Sequence, residues 1–103
     1  MKILITGSNG QLGSELRFLS LNDKSHNWIF TDIKELDLSD LKNLSKNISK
    51  IAPCIIVNCA AFTHVDKAES EIKLASIINF EAVDLISKWT SINNKKLIHI
   101  STD

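Results

Sequence analysis

Apolar residues along this chain occur alternately in short continuous runs and at helical spacing, and this alternation predicts four strands separated by helices. Short apolar runs predict the strands, which are Lys2–Thr6, Trp28–Thr31, Ile55–Asn58 and Lys96–Ser101. Helical spacing follows each of the first three, at Leu12, Leu16 and Leu19; at Leu41, Leu44, Ile48 and Ile51; and at Leu74, Ile77, Ile78, Leu85, Ile86 and Trp89. The order β-α-β-α-β-α-β with helix-length crossovers is typical of an α/β protein with a parallel sheet.

Local signals place the helix ends. The first helix is expected from Gln11 to about Leu21, where turn-forming residues follow. Asp37, Ser39 and Asp40 are candidate caps of the second helix, with Ser39 the predicted N-cap, and Pro53 ends that helix. The third helical pattern is long, and its apolar stripe indicates a packed core face.

The predicted fold is a partial Rossmann-like doubly wound parallel sheet with strand order 3-2-1-4. In such sheets the ligand crevice lies where the strand order reverses, here between strands one and four. Three loops and the last residues would converge at that edge, namely 7–12, Asp32, 60–63 and 101–103. Small side chains at Ala60 and Ala61 would let a flat ring or ribose approach the backbone, although packing explains them equally well.

All three glycines of the chain, Gly7, Gly10 and Gly13, fall between the first strand and the first helix. Glycine permits positive φ and close approach of another group to the backbone. The free N–H groups and the positive dipole end of the following helix would face an anion. This spacing therefore predicts a turn that binds the pyrophosphate of a dinucleotide.

Asp32 stands at the carboxyl end of the second predicted strand, 19 residues after Gly13. An acidic residue about 20 residues beyond the glycines binds the adenosine ribose hydroxyls in dinucleotide-binding units. The alternative is that Asp32 only begins a turn. A carboxylate here would repel a 2′-phosphate and so favour NADH, whereas Lys34 would offset part of that charge and leave NADPH open.

Charge and composition limit the classes of binding partner that this chain is expected to have. Twelve basic residues balance twelve acidic ones without long runs of like charge, so neither nucleic acid nor an anionic membrane is indicated. No apolar stretch approaches the roughly 18 residues that span a bilayer. The N-terminus enters a strand directly, without the features of a signal peptide, so we expect a cytoplasmic protein.

Two cysteines, Cys54 and Cys59, bracket the third predicted strand. An extended strand would hold them about 16 Å apart on opposite faces, too far for a disulfide. No cluster of further ligands accompanies them, so we expect no metal site and interpret both as small buried residues.

Three segments resemble the dTDP-4-dehydrorhamnose reductases, a family of the extended short-chain dehydrogenase/reductase superfamily. These segments are TGSNGQLG at Thr6–Gly13, VNCAAFTHVDKAESE at Val57–Glu71 and HISTD at His99–Asp103. The glycine spacing is shared by the superfamily, whereas VDKAE and STD are more specific to these sugar-nucleotide reductases. The match runs from Met1 to Asp103 but covers only about the first third of such an enzyme.

The resemblance implies NAD(P)H-dependent reduction of dTDP-4-dehydro-L-rhamnose to dTDP-L-rhamnose. It implies that Gly10, Gln11 and Leu12 contact the pyrophosphate, and Asp32 the adenosine ribose. Asp37 and Leu38 would flank the adenine, and Ala61, Phe62, Thr63 and Ile100 would lie near the nicotinamide ribose. Thr102 corresponds to the catalytic Ser/Thr that hydrogen-bonds the substrate carbonyl, and Asp103 would follow it at the sugar site. His64 and His99 are expected to be ordinary loop and strand residues.

The chain departs from this family in having no tyrosine. The superfamily's proton donor is the Tyr of a Tyr-x-x-x-Lys pair, so we expect an N-terminal fragment that is inactive alone. Residues 1–103 would be the first part of a dinucleotide-binding domain, without the substrate domain. Two alternatives remain open: a non-catalytic dinucleotide-binding accessory subunit, and another sugar-nucleotide reductase or epimerase of the same fold. A fourth strand left at the sheet edge would also favour self-association, and a homo-oligomer is one form that this would take.

Overall fold

The predicted strands form one parallel four-stranded sheet in the computed structural model, which describes residues 1–59 and 69–100. The strands are β1 (Lys2–Thr6), β2 (Asn27–Phe30), β3 (Ile55–Asn58) and β4 (Lys96–His99). The helices are α1 (Gln11–Ser20), α2 (Leu41–Ile51), α3 (Glu69–Ser76) and α4 (Ala82–Ile92), with a π-helical turn (Ile77–Glu81) between α3 and α4. The predicted α/β class and element order are therefore confirmed.

The strand order is β2-β1-β3-β4, so the predicted order 3-2-1-4 is wrong. After β2 the chain returns past β1, and β3 pairs with β1 in the register Ile3↔Ile55. The two most apolar strands, β1 and β3, thereby occupy the centre, and they carry all of the fully buried strand residues. β2 and β4 carry more exposed residues and form the edges. The strand order reverses between β1 and β3. The ligand crevice is therefore expected between these two strands, not between strands one and four as predicted.

One face of the sheet carries the main core. Leu4 and Ile56 are partners in the β1–β3 pairing, and both are fully buried. The helices contribute Leu44 and Ile48 from α2, and Ala82, Ile86 and Trp89 from α4, while Leu36 and Leu38 come from the segment before α2. Because the chain steps in opposite directions after β1 and after β2, right-handed crossovers place α1 and α2 on opposite faces.

The start of α2 differs from the sequence-based prediction. Asp40, not Ser39, is the N-cap, and its side chain makes no capping hydrogen bond. Ser39 is engaged elsewhere, because its backbone N–H and its hydroxyl both donate to Asp37 Oδ1, at 2.9 and 2.6 Å. The end agrees with the prediction, since Ala52 is left-handed (φ 54°) and Pro53 follows.

The long third helical pattern is interrupted by the π-helical turn, which adds a residue to one turn and rotates the stripe. Ile86 and Trp89 are buried as expected, but Leu74, Ile77, Ile78 and Leu85 are only half-buried. The small residues Ala75 and Ala82 are buried as well. The stripe expected on α1 is also largely uncovered, because Leu16 is half-buried, Leu12 is exposed and Leu19 is 63% exposed. Gly13 is the only buried residue of this helix.

Candidate functional site: the glycine turn and the ends of β1 and β2

The glycine turn connects β1 to α1 through a conformation that a side chain would disfavour. Gly7 has φ of 65°, in the left-handed region where glycine is strongly preferred. Its carbonyl accepts a hydrogen bond from the Gly10 N–H at 3.1 Å, which closes the turn. The Ser8 N–H donates to the Thr31 carbonyl at 3.0 Å, so the turn is also tied to the end of β2.

Gly13 allows α1 to pack directly on this turn. A Cβ atom at Gly13 would lie 2.6 Å from Ser8 Cα and 2.7 Å from the Gly7 carbonyl oxygen. Both neighbours are backbone atoms of the turn, so neither can rotate away. At Gly10 the corresponding contact is 3.4 Å, an ordinary van der Waals distance. Gly13 therefore sets the distance between helix and turn.

The N-terminus of α1 is open to an anion. Gly10 is the N-cap and has no side chain that could cap the helix, and the first turn contains no acidic residue. Gly10, Gln11 and Leu12 are exposed, whereas Gly13 is buried. The first N–H groups of a helix have no partner within it, so these donors and the helix dipole favour a bound anion.

Asp32 is attached to the glycine turn by its own side chain. Its Oδ2 accepts from the Asn9 N–H at 3.0 Å, and its Oδ1 accepts from the Ile33 N–H at 2.8 Å. The half-buried carboxylate thus stands beside the turn at the carboxyl end of β2. Asp32 does begin a turn, as the alternative interpretation held, and the same turn places its carboxylate next to the glycines.

A small hollow joins several of the predicted site residues. It is lined by Gly7, Asp32, Ile33, Leu36, Asp37, Leu38 and Ile78. Asp37 is exposed and holds Ser39 through two hydrogen bonds, whereas Leu38 is only 6% exposed and belongs mainly to the core. The structure therefore brings together Gly7, Asp32, Asp37 and Leu38, which the sequence places up to 31 residues apart.

A chain of polar side chains connects the ends of β1, β3 and β4, buried at Thr6 and Asn58 and exposed at His99. The Thr6 hydroxyl donates to Asn58 Oδ1, and Asn58 Nδ2 lies 3.1 Å from His99 Nδ1. Asn58 is completely buried, so these partners satisfy polar atoms that burial would otherwise penalise. Ile100 follows directly, 36% exposed, with its N–H donating to the Asn58 carbonyl at 3.2 Å. No role was predicted for Asn58, and His99 was expected to be an ordinary strand residue. The available signal was the polar residue that ends each of these apolar strands.

Arg17 is a second residue that the sequence analysis missed. Its Nη2 donates to the Ser8 hydroxyl at 3.2 Å, and its guanidinium lies 4.6 Å from the centre of the Phe30 ring. Ser8 is almost fully buried in the glycine turn. Arg17 therefore holds the turn to α1 and β2, a contact that no local pattern in the sequence indicates.

The two cysteines are free, as predicted, but half-buried rather than fully buried. Burial raises the pKa of the Cys59 thiol, which keeps it protonated at neutral pH. Within residues 1–59 and 69–100 there is no cluster of side chains suited to a metal ion. The predicted site residues Ala61, Phe62, Thr63, Thr102 and Asp103 lie outside the described residues, as does His64.

The comparisons with known proteins agree with the motifs. Residues 1–103 match the family model described as the RmlD substrate binding domain. The chain belongs to this family, that of the dTDP-4-dehydrorhamnose reductases. Among its curated relatives, the dTDP-4-dehydrorhamnose reductase of Salmonella typhimurium is 41% identical over 107 residues, which span 100% of this chain and 35% of that protein. The reductase of Aggregatibacter actinomycetemcomitans is 33% identical over 102 residues, 99% of this chain and 35% of that protein.

Solved structures of the family have the same fold. The dTDP-4-dehydrorhamnose reductase of Bacillus anthracis, solved in complex with NADP, superposes with a TM-score of 0.82 at 36% identity, covering 97% of this chain and 35% of that one. The Clostridium acetobutylicum protein gives the same TM-score and identity over 94% of this chain and 34% of that one. This chain thus spans about a third of the length of its relatives. In the part that the structure describes, no helix is long and apolar enough to cross a membrane.

Proposed function

We infer that residues 1–103 form the first part of the dinucleotide-binding domain of an NAD(P)H-dependent reductase. The whole protein would reduce dTDP-4-dehydro-L-rhamnose to dTDP-L-rhamnose. That reaction would also need residues that the relatives have outside the third of their length that this chain matches. The observation that carries the proposal is the hydrogen bond from the Asn9 N–H to Asp32 Oδ2. It joins a turn suited to phosphate and a carboxylate suited to ribose in one site.

The residues of the site fit a dinucleotide. The uncapped start of α1 offers backbone donors to a pyrophosphate, and the exposed Gly10 puts no side chain in front of them. Gly10, Gln11 and Leu12 would hold the pyrophosphate, and Asp32 the adenosine ribose hydroxyls. Asp37 and Leu38 border the same hollow as Asp32 and would flank the adenine. When bound, the cofactor would supply the hydride.

The remaining assignments rest on the family motifs. Ala61, Phe62, Thr63 and Ile100 would line the path to the nicotinamide ribose, with Ile100 held in place by Asn58. Thr102 would hydrogen-bond the substrate carbonyl oxygen, and Asp103 would lie beside it at the sugar. We expect Asp32 to favour NADH, because a carboxylate accepts hydrogen bonds from both ribose hydroxyls and repels a 2′-phosphate.

Binding of ADP-ribose to this chain, measured by titration calorimetry, tests the proposal. Asp32→Ala should weaken binding by about 1–3 kcal/mol, the range for hydrogen bonds to a charged group. Asp84→Ala is the matched control, because Asp84 is an exposed carboxylate on α4 whose partner is Lys88. Equal affinity of wild type and Asp32→Ala would remove Asp32 from the site.

Turnover by the chain alone should be negligible. With no tyrosine in the sequence, no phenol can donate the proton, and a positioned general acid contributes roughly 10²- to 10⁴-fold in rate. The assay follows NADH oxidation in the presence of dTDP-4-dehydro-L-rhamnose. Reduction at a rate typical of enzymes would contradict this expectation, and epimerisation without NADH oxidation would favour the alternative epimerase reading.

The absence of tyrosine also favours a second candidate, a non-catalytic accessory subunit that binds a dinucleotide. The two candidates differ in their effect on a complete reductase of the family. An accessory subunit would change the turnover or cofactor affinity of that enzyme when added to it. Part of a reductase domain would leave both unchanged.

A further inference from the structure

Glu35 closes the turn that presents the Asp32 carboxylate. The Asp32 N–H donates to Glu35 Oε1 at 2.7 Å, and the Glu35 N–H donates back to the Asp32 carbonyl at 3.0 Å. The Leu36 N–H donates to the same carbonyl at 2.8 Å, and the Leu36 side chain is buried in the core. The bond from the Asp32 N–H to the Glu35 side chain is the same as one of the two bonds of a capping box. The second bond differs, because the Glu35 N–H donates to the Asp32 backbone carbonyl and not to its side chain.

The direction of the Asp32 carboxylate depends on this turn. Asp32 Oδ1 already accepts from Ile33, which lies inside the turn, and Asp32 Oδ2 accepts from Asn9 outside it. Releasing the Asp32 N–H would therefore loosen the backbone that carries both contacts. Glu35 acts on the ribose-binding carboxylate through the backbone, without having to touch the ribose.

Glu35 also adds a negative charge next to Asp32. Asn9, Asp32, Ile33, Lys34 and Glu35 line one open hollow beside the glycine turn. Lys34 is the only cation among them, and within residues 1–59 and 69–100 it forms no salt bridge with either carboxylate. Two acidic groups against one exposed base leave the hollow net negative.

We propose that Glu35 is a positioning and specificity residue for the adenosine ribose: its hydrogen bond to Asp32 N orients Asp32, and its charge disfavours a 2′-phosphate. The inference rests on the proposed dinucleotide site and extends it from Asp32 to a second carboxylate. The hydrogen bond and the charge are separable, because glutamine keeps a side-chain oxygen that can accept from the Asp32 N–H but carries no charge.

Glu35→Gln and Glu35→Ala separate the two roles in titrations with ADP-ribose and 2′-phospho-ADP-ribose. Glu35→Gln should leave the ADP-ribose Kd within about twofold and tighten 2′-phospho-ADP-ribose roughly threefold to tenfold, as expected for removing one exposed charge several ångströms away. That gain should shrink as added salt screens the charge. Glu35→Ala should weaken ADP-ribose roughly threefold or more, since it also removes the hydrogen bond.

Two further measurements complete the design. Glu15→Gln is the matched control, because Glu15 is an exposed carboxylate that lines a different hollow with Phe18 and Leu19, and it should change neither affinity. The amide ¹⁵N–¹H resonance of Asp32, which needs no ligand, should move in Glu35→Ala and stay close to wild type in Glu35→Gln.

The outcomes are distinguishable. Failure of the folded wild type to bind ADP-ribose would overturn the proposed site and this inference with it. Wild-type binding that Glu35→Ala leaves unchanged, or an unmoved Asp32 resonance, would overturn the positioning role alone. Equal affinity of wild type and Glu35→Gln for 2′-phospho-ADP-ribose would overturn the role of the charge.

Discussion

Gly13→Ala is the substitution that most directly tests how α1 is held against the glycine turn. The new Cβ would lie 2.6 Å from Ser8 Cα, 2.7 Å from the Gly7 oxygen and 2.8 Å from the Ser8 carbonyl carbon. Ordinary van der Waals contact begins near 3.4 Å, so helix and turn must separate by roughly 0.8 Å. All three contacts are with backbone atoms, so no side-chain rotation relieves them.

The magnitude follows from two opposing effects. Alanine is favoured over glycine inside a helix by about 1 kcal/mol. Overpacking typically costs about 1–3 kcal/mol, and rigid backbone neighbours on the other side place this case at or above the upper end. We expect a net loss of about 2 kcal/mol or more in the free energy of unfolding. For a domain of this size each kcal/mol lowers Tm by about 4–8 °C.

Thermal melts and ADP-ribose titrations of Gly13→Ala measure both consequences. Affinity should fall roughly tenfold, because moving α1 weakens at least one hydrogen bond to the phosphates. Gly10→Ala is the matched control for the thermal melts, since Gly10 has φ of −75° and its added Cβ would meet the Gly7 oxygen at 3.4 Å. Asp84→Ala is the control for the titrations, because Asp84 is an exposed residue on α4 that pairs with Lys88. A Gly13→Ala protein with wild-type Tm and wild-type affinity would refute the close-packing argument.

Two other predictions concern stability and association. Hydrogen bonds from the Ser25 hydroxyl and N–H, then from Trp28 and His26, hold the pKa of Asp23 well below its usual range. Asp23 therefore stabilises the fold above about pH 4, and this contribution is lost as pH falls through its lowered pKa. Asp23→Asn should lower Tm at pH 7. The difference in Tm between wild type and Asp23→Asn should shrink in strong acid, and an unchanged difference would contradict the argument. Ile98 is 51% exposed on the edge strand β4, so the chain should self-associate in sedimentation experiments. Ile98→Lys should reduce this self-association. A monomeric wild type would contradict the prediction.

Local patterns were sufficient for the elements of this fold. Strand β1 and strand β3 have the predicted bounds, and α1 begins at Gln11 as expected. The three glycines marked the turn, and two of them have a local requirement there, a positive φ at Gly7 and a small size at Gly13. Asp32 was found from its spacing, and the structure brings it against the turn through Asn9.

Contacts between distant residues were not available from those patterns. The stripe on α1 predicted a covered face, yet only Gly13 is buried there. Asn58 and Arg17 gain their roles from partners on other elements, which no spacing rule identifies.

The sequence by itself determined the α/β class, the glycine turn and the acidic residue at the end of β2, because backbone geometry and hydrophobic periodicity are local properties. Tertiary structure decided the strand order β2-β1-β3-β4. A helical crossover can return on either side of β1, and burial of the most apolar strands in the centre selects between the two. The same long-range packing decided that the Asn9 N–H lies against the Asp32 carboxylate, 23 residues along the chain.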